Sequence, residues 1–196
     1  MFSNRFTAIV DACSLADVLR RNLLLTLAEA GFFRLRWSRQ ILDETEEAIR
    51  RILVHKGVEV ADTHAERARR AMERAFEDAA VEDFDGFLCM CANLPDAGDA
   101  HVVAAALKTQ AAVIVTENLK HFPSSVLKPL NVEVLSADVF IADTIALAPG
   151  RAVAAVRMMR TRFKTPKLTA DDLLTRMESR GLIEAVDLLR PYRESL

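Results

Sequence analysis

Six side chains that could bind or orient a cation flank two apolar segments of the sequence. They are Asp11, Asp96, Asp99, Thr116, Glu117 and Asn118. The apolar segments are FTAIVDA, residues 6–12, and AAVIVT, residues 111–116. Carboxylates that are crowded together repel one another, and a divalent cation offsets that repulsion. Oxygen ligands of this kind suit Mg²⁺ or Mn²⁺, which can activate water and stabilise displacement at a phosphodiester.

These side chains can meet only if the two apolar segments are strands of one parallel sheet. In an open parallel α/β sheet, ligands bind outside the carboxyl ends of the strands, where the strand order reverses. Asp11 lies at that end of the first segment, and Asn118 lies just beyond the second. Whether Asp96 and Asp99 reach the same place depends on where the intervening helix begins, which periodicity leaves open. Acids at helix starts are also common as structural caps.

Apolar periodicity predicts strands that alternate with helices up to residue 147. The predicted strands are 6–12, 32–37, 81–84, 111–116 and 132–136, and the predicted helices are 14–31, 38–57, 63–79, 102–107 and 137–147. Ser14, Ser38 and Ser136 are expected N-caps, and Thr63 with Glu66 has capping-box spacing. We predict an α/β domain over residues 1–147 with a mostly parallel sheet. Residues 148–196 carry only helical patterns, with Thr169 as an N-cap, and we predict a separate helical extension there.

The predicted helix 38–57 carries four acids, and the helical wheel orients only some of them. Asp43 and Glu47 point away from the apolar face, while Glu44 and Glu46 border it on opposite sides. Either of the two bordering glutamates could therefore face a cleft. For Glu46, an ion pair with Arg50 four residues later is an alternative explanation.

Composition and charge narrow the class of protein. The chain has 196 residues, of which 51% are apolar and 28% charged, as in ordinary globular proteins. A net charge of −2 gives no global attraction for nucleic acid, so a polyanion would need local basic patches or a bound cation. Three cysteines without zinc-site spacing, no signal peptide and no 18-residue apolar run favour a cytoplasmic protein with no membrane contact.

Two long segments together resemble a known family. They are IVDACSLADVLRRNLLLTLAEAGFFRLRWSRQILDETEEAIRR and LPDAGDAHVVAAALKTQAAVIVTENLKHFP. Their order and spacing over residues 6–145 resemble the PIN-domain family, which includes the VapC-type toxin ribonucleases. The motifs LPDxxDxH and TxNLKxFP resemble a VapC-like subgroup with a helical C-terminal extension. The resemblance implies a three-layer α/β/α sandwich that cleaves single-stranded RNA with Mg²⁺ or Mn²⁺.

The resemblance also implies roles for individual residues. Asp11, Glu44 and Asp99 would hold the cation that activates the attacking water. The resemblance thus favours Glu44 over Glu46. The auxiliary residues are Asp96, Thr116, Asn118 and His121. We expect the Thr116 hydroxyl to hydrogen-bond Asp11 and fix its orientation.

The chain departs from the family after the fourth strand. Members often supply a further acid there, whereas Asn118 and His121 occupy the two usual positions and Glu117 is one residue out of register. The fourth carboxylate is therefore missing or replaced, and the number of cations is left open.

The sequence also leads to expectations about the substrate and the partners. Arg36, Arg39 and His101 are the candidate substrate-binding residues, since RNA needs local positive charge. The resemblance implies a homodimer and a small antitoxin protein as partner. The segment VRMMRTRFK, residues 156–164, could bind RNA, a second copy of the chain or an antitoxin, or could pack on its own domain.

The sequence leaves two alternatives to a ribonuclease open. One is a PIN-like scaffold that binds partners without catalysis, which the altered position after the fourth strand suggests. The other is a haloacid-dehalogenase-like phosphatase, which also has an acid after its first strand. That class needs a second aspartate two residues later, where this chain has Cys13, and the later acidic motif of that class is lacking.

Overall fold

The computed structural model describes residues 6–196, which form two compact units. The sheet unit contains the described residues up to Asp17 together with Arg34–Leu135, and the helical unit contains Val18–Phe33 and Ser136–Leu196. Residues 1–5, with the start of the predicted domain 1–147 and of the segment inspected for a signal peptide, lie outside the described residues.

Five parallel strands form the core of the sheet unit. They are β1 (Thr7–Val10), β2 (Arg34–Ser38), β3 (Ala80–Val81), β4 (Val113–Val115) and β5 (Glu133–Leu135). Their order is β3-β2-β1-β4-β5, so the strand order reverses at β1, between its neighbours β2 and β4. Ile9 of β1 is paired with Arg36 on one side and with Ile114 on the other. The crevice beside the ends of β1 and β4 is where such sheets bind ligands.

Residues 6–196 contain ten α-helices and six short 3-10 helices. The α-helices are α1 (Ala12–Ala16), α2 (Val18–Glu29), α3 (Arg39–His55), α4 (Ala61–Ala75), α5 (Ala100–Thr109), α6 (Ser124–Leu127), α7 (Ala137–Leu147), α8 (Pro149–Arg162), α9 (Ala170–Glu178) and α10 (Ile183–Leu189). Short 3-10 helices span Glu77–Ala79, Asp85–Cys91, Ala97–Asp99, Leu119–His121, Lys128–Leu130 and Arg190–Ser195. None of these helices has the length and apolar character needed to cross a membrane.

Local sequence explains why several helices begin where they do. The Ser38 hydroxyl accepts a hydrogen bond from the backbone N–H of Ile41, and Ser136 accepts one from Val139, so both are N-caps as predicted. The α5 helix lies against the sheet and buries Val102 to Ala106 completely, as expected of a helix that is apolar all round. Capping thus fixes the start of α3, which carries Glu44, and burial holds α5, which carries His101, against the sheet.

Two predicted caps are wrong. Ser14 lies inside α1, and Asp11 caps that helix instead, because the chain turns into α1 directly after β1. The predicted helix 14–31 is accordingly two helices, α1 and α2, with an extended Asp17 between them. No capping box forms at Thr63, because α4 begins two residues earlier and Val60 occupies its N-cap position.

The helical unit is held together by contacts among α2 and α7 to α10. The rings of Phe33 and Phe140 meet edge to face with centroids 4.8 Å apart. The Asp138 carboxylate accepts hydrogen bonds of 3.0 Å from the backbone N–H groups of Glu184 and Ala185, in the first turn of α10. Thr169 caps α9 as predicted and forms a capping box with Asp172.

The predicted α/β class, with a parallel sheet and additional C-terminal helices, is confirmed. The helix α7, which ends at residue 147, is grouped with the helical unit rather than with the sheet unit. The predicted domain boundary between residues 147 and 148 stays a prediction, because a compact unit is not by itself an independently folding domain.

Candidate active site

Asp11 is a buried carboxylate at the carboxyl end of β1, with 4% of its surface exposed. Its Oδ1 accepts a hydrogen bond of 2.7 Å from the backbone N–H of Ala12. Its Oδ2 accepts a hydrogen bond of 2.7 Å from the Thr116 hydroxyl and one of 3.1 Å from the Cys13 thiol. Three donors therefore fix the orientation of this carboxylate.

Thr116 and Cys13 form the polar surroundings of Asp11. The hydrogen bond that we expected from Thr116 is present, and the same hydroxyl accepts the backbone N–H of Asn118. Burial, followed by the charge of Asp11, raises the pKa of the Cys13 thiol to about 11. Cys13 is thus a neutral donor near pH 7. Sequence reasoning missed this residue as part of the site, although its position on the first turn after Asp11 was a usable signal.

Asp96 and Asp99 lie on the turn that leads into α5. Asp96 accepts a hydrogen bond of 2.8 Å from the backbone N–H of Gly98, so it caps the 3-10 helix Ala97–Asp99. Asp99 occupies the N-cap position of α5. Burial raises the pKa of Asp99, and the charges of Asp11 and Asp96 act in the same direction, while the hydrogen bond from His121 opposes them. Asp99 contacts His121 and Asp11 contacts Thr116, and both contacting residues follow β4, so the two carboxylates lie beyond the carboxyl end of the same strand.

His121 joins the two aspartates in a cluster that could hold a metal ion. Its Nδ1 lies 2.8 Å from Oδ2 of Asp99 and 3.8 Å from Oδ2 of Asp96. One ligand atom from each of the three residues lies within 4.8 Å of the others. Two carboxylates and an imidazole fit a divalent cation, and the imidazole suits Mn²⁺ better than Mg²⁺. Each of these residues was predicted, but their grouping was not.

Glu44 lies on α3 and is linked to α5 through a histidine. Its Oε1 lies 3.1 Å from Nε2 of His101 and 3.4 Å from the side-chain nitrogen of Gln40. His101, one of the predicted substrate-binding residues, is buried, with 6% of its side chain exposed.

The other bordering glutamate of α3 has a structural partner. Glu46 lies 3.0 Å from Arg69 of α4. The predicted pair of Glu46 with Arg50 is wrong, because Arg50 pairs with Glu47 at 2.7 Å. Of the two glutamates, Glu44 is the one linked to the helix that follows Asp99.

The remaining candidate site residues have other surroundings. Arg36 donates a hydrogen bond to the backbone carbonyl of Asp78, and Arg39 lines a separate cavity of about 400 Å³ beside Trp37. Asn118 is exposed. Glu117, the acid one residue out of register, has Oε1 3.5 Å from the Ser14 hydroxyl and is therefore beside the start of α1.

The fold and these side chains define a class of protein: a parallel α/β sheet with a cluster of acids at the crevice where its strand order reverses. Residues 7–120 match the family model described as PIN domain, and residues 137–191 match the one described as VapC50 C-terminal domain. The first match covers more than half of the chain, so this protein belongs to the PIN-domain family. The resemblance seen in the sequence is thereby confirmed.

One named relative is similar over part of its length. A protein of Mycobacterium tuberculosis named "Putative ribonuclease VapC50" is 41% identical over 76 residues, which cover 39% of this chain and 45% of that protein. The match thus spans less than half of the relative. No solved structure matches this chain.

Proposed function

We propose that this protein is an endoribonuclease that cleaves single-stranded RNA with the help of Mg²⁺ or Mn²⁺. The observation that carries the proposal is the buried Asp11, which three hydrogen bonds orient at the carboxyl end of β1, while Asp99 is held by His121, a residue that follows the neighbouring strand β4. Membership of the PIN-domain family and the name of the relative support RNA as substrate. Family membership also disfavours the phosphatase alternative.

Each residue has a specific role in this proposal. Asp11, Glu44 and Asp99 would hold the cation, directly or through water, and Thr116 and Cys13 orient Asp11. When bound, a divalent cation supplies charge neutralisation and activation of water for attack at phosphorus.

His121 and Asp96 have supporting roles. His121 holds Asp99 through their hydrogen bond of 2.8 Å, and Asp96 adds a second carboxylate beside it. The imidazole gives the cluster one nitrogen ligand, which favours Mn²⁺ over Mg²⁺ as the activating ion. Asn118 provides a neutral amide where a fourth acid was expected, and Arg36, Arg39 and His101 stay predictions as direct substrate contacts.

The partners and location belong to the same proposal. We expect the protein to be the toxin of a toxin–antitoxin pair, to form a homodimer and to act in the cytoplasm. The match of residues 137–191 to the VapC50 C-terminal domain supports the toxin role. Cys13, Cys89 and Cys91 are all free, which fits a reducing compartment. Light scattering of the purified chain, alone and with a co-expressed small partner, tests the assembly.

The decisive experiment compares the wild type with Asp11→Asn on assorted single-stranded RNAs, with and without Mn²⁺. We expect cleavage that requires the ion and that falls at least about a hundredfold in the variant, because a neutral amide binds the cation far more weakly. Asp143→Asn, the same change at an exposed position of α7, is the matched control and should cleave normally. Metal-independent cleavage that survives Asp11→Asn contradicts the proposal.

A non-catalytic scaffold is the second candidate function. The observation in its favour is the exposed Asn118 after β4, where an acid was expected. Calorimetry that detects neither Mg²⁺ nor Mn²⁺ binding by the folded wild type would support the scaffold over the enzyme.

A further inference from the structure

His101 is a buried histidine whose two ring nitrogens have different surroundings. It lies on α5, two residues after Asp99, with 6% of its side chain exposed. Its Nε2 lies 3.1 Å from Oε1 of Glu44. Its Nδ1 is buried and has no hydrogen-bond partner among residues 6–196. The ring therefore makes one side-chain polar contact, and that contact is to a predicted cation ligand.

The contact determines which nitrogen carries the hydrogen. An ionised carboxylate only accepts hydrogen bonds, and a neutral imidazole has one donor and one acceptor nitrogen. Nε2 is thus the donor to Glu44, and Nδ1 is an acceptor without a donor. A buried acceptor without a partner costs free energy. The position of the ring is consequently not the one that favours protein stability most, because Nδ1 lacks a donor. Its side-chain hydrogen bond is the one to Glu44.

We propose that His101 is a positioning residue that fixes the Glu44 carboxylate toward the cation site. The inference rests on the proposed function. Glu44 needs such a donor because 44% of its side chain is exposed, and a free glutamate there would occupy several rotamers. The other donor, Gln40, is farther away at 3.4 Å and exposed. The His101 contact also joins the helix that carries Glu44 to the helix that begins after Asp99.

Two amide substitutions separate the roles of the two nitrogens. In His101→Gln the side-chain nitrogen falls near the position of Nε2, so a donor to Glu44 is kept. In His101→Asn it falls near Nδ1, from which it does not reach Glu44. Both changes replace the ring with a smaller polar group, so each is the control for the packing effect of the other.

The experiment measures Mn²⁺ affinity by calorimetry, the rate of RNA cleavage and the urea unfolding midpoint for each variant. We expect His101→Gln to keep Mn²⁺ affinity within about threefold, and His101→Asn to lose about tenfold, a loss typical of residues that orient ligands. Adding His101→Asn to Glu44→Gln should have no further effect. Equal Mn²⁺ affinity in wild type and both variants overturns the inference while leaving the proposed function intact, and equal losses in both variants, matched by equal falls in unfolding midpoint, also overturn it.

A second readout needs no metal. In ¹⁵N-histidine NMR spectra of the metal-free protein, we expect His101 to carry its hydrogen on Nε2, with a shift that moves in Glu44→Gln. A ring that carries its hydrogen on Nδ1 alone overturns the inference whatever the activity. Wild-type protein that neither binds Mn²⁺ nor cleaves RNA overturns the proposed function, and with it the positioning role, even if the hydrogen bond is seen.

Discussion

Thr116 donates a hydrogen bond of 2.7 Å to Oδ2 of Asp11, and this bond joins the carboxyl ends of β4 and β1. The register of the two strands pairs Val10 with Val115, so the next residue of each strand lies beside the other. The backbone N–H of Asp11 continues the pairing by donating to the carbonyl of Val115. The orientation of the proposed catalytic carboxylate is thus set by the neighbouring strand.

The first prediction concerns that hydroxyl. Thr116→Val keeps the shape of the side chain but removes the donor to Asp11 and the acceptor for the N–H of Asn118. We expect cleavage to fall about tenfold, since ligand orientation is lost, and the free energy of unfolding to fall by about 1 to 3 kcal/mol, since buried polar groups lose their partner. Cleavage kinetics and urea unfolding measure the two effects. Thr116→Ser should restore most of both, and full activity in Thr116→Val would contradict the role.

The second prediction separates the two aspartates before α5. Asp99→Asn should reduce cleavage at least about a hundredfold, because a ligand charge is lost, while stability is kept, since the Asp99 side chain makes no capping hydrogen bond to α5 that the change could remove. Asp96→Asn should have a smaller effect, because the Asp96 side chain is 54% exposed and its contact with His121 is the longer one. Rates at saturating Mn²⁺ measure the difference. Equal losses in the two variants would contradict the central place given to Asp99.

The third prediction concerns the choice of metal. If His121 contributes its imidazole to the cluster with Asp96 and Asp99, the wild type should be activated by Mn²⁺ at lower concentration than by Mg²⁺. His121→Asn should reduce this preference by about tenfold, because it replaces a nitrogen ligand with an amide. The half-activating concentration of each ion is the quantity to measure. An unchanged preference would place His121 outside the metal site.

Parts of this fold could be predicted because they depend on burial. The segments that became β1 and β4 are apolar runs, and runs of this kind are typical of parallel strands buried on both faces. The cap of α1 could not be predicted in the same way. Ser14 satisfies the local pattern for an N-cap, but the direct turn from β1 into the helix gives that position to Asp11. The periodicity of apolar residues contains no information about such a turn.

The candidate site also has one part that the sequence predicts and one part that it does not. The contact of Asp11 with Thr116 could be predicted, because both follow neighbouring parallel strands. The cluster of Asp96, Asp99 and His121 could not, since it depends on the 3-10 helices Ala97–Asp99 and Leu119–His121, whose side-chain directions follow from no repeating pattern.

The fourth prediction concerns the packing of α3 on α4. Arg69 is 19% exposed and pairs with Asp43 and Glu46 of α3 and with Glu73 of its own helix. Arg69→Ala should lower the free energy of unfolding by about 1 to 2 kcal/mol, because several partly buried pairs are lost together. Arg70→Ala is the control, since Arg70 is 63% exposed and pairs with the exposed Glu66, and should cost less than about 0.5 kcal/mol. Equal effects in urea unfolding would contradict this.

The fifth prediction is a pH dependence that arises from Cys13. Burial and the charge of Asp11 raise the pKa of its thiol from 9.0 to about 11 in the folded protein. The thiolate is the form that attacks alkylating reagents, so a pKa raised from 9.0 to about 11 lowers the thiolate fraction at pH 8 about a hundredfold. Iodoacetamide should therefore label Cys13 about a hundred times more slowly in the folded chain than in urea. Peptide mass spectrometry measures the rates.

The sign of the linked stability change follows from the same shift. Between pH 9 and pH 11 the folded state keeps the Cys13 proton while the unfolded state releases it. The contribution to stability is therefore fully present below pH 9 and is lost as the pH rises toward 11, by at most about 1.4 kcal/mol per pH unit. Cys13→Ser keeps a donor to Asp11 but does not titrate in this range, so urea unfolding of the variant at pH 8, 9 and 10 should show a shallower decline than the wild type. Parallel declines would mean that the Cys13 thiol is not shielded by burial beside Asp11.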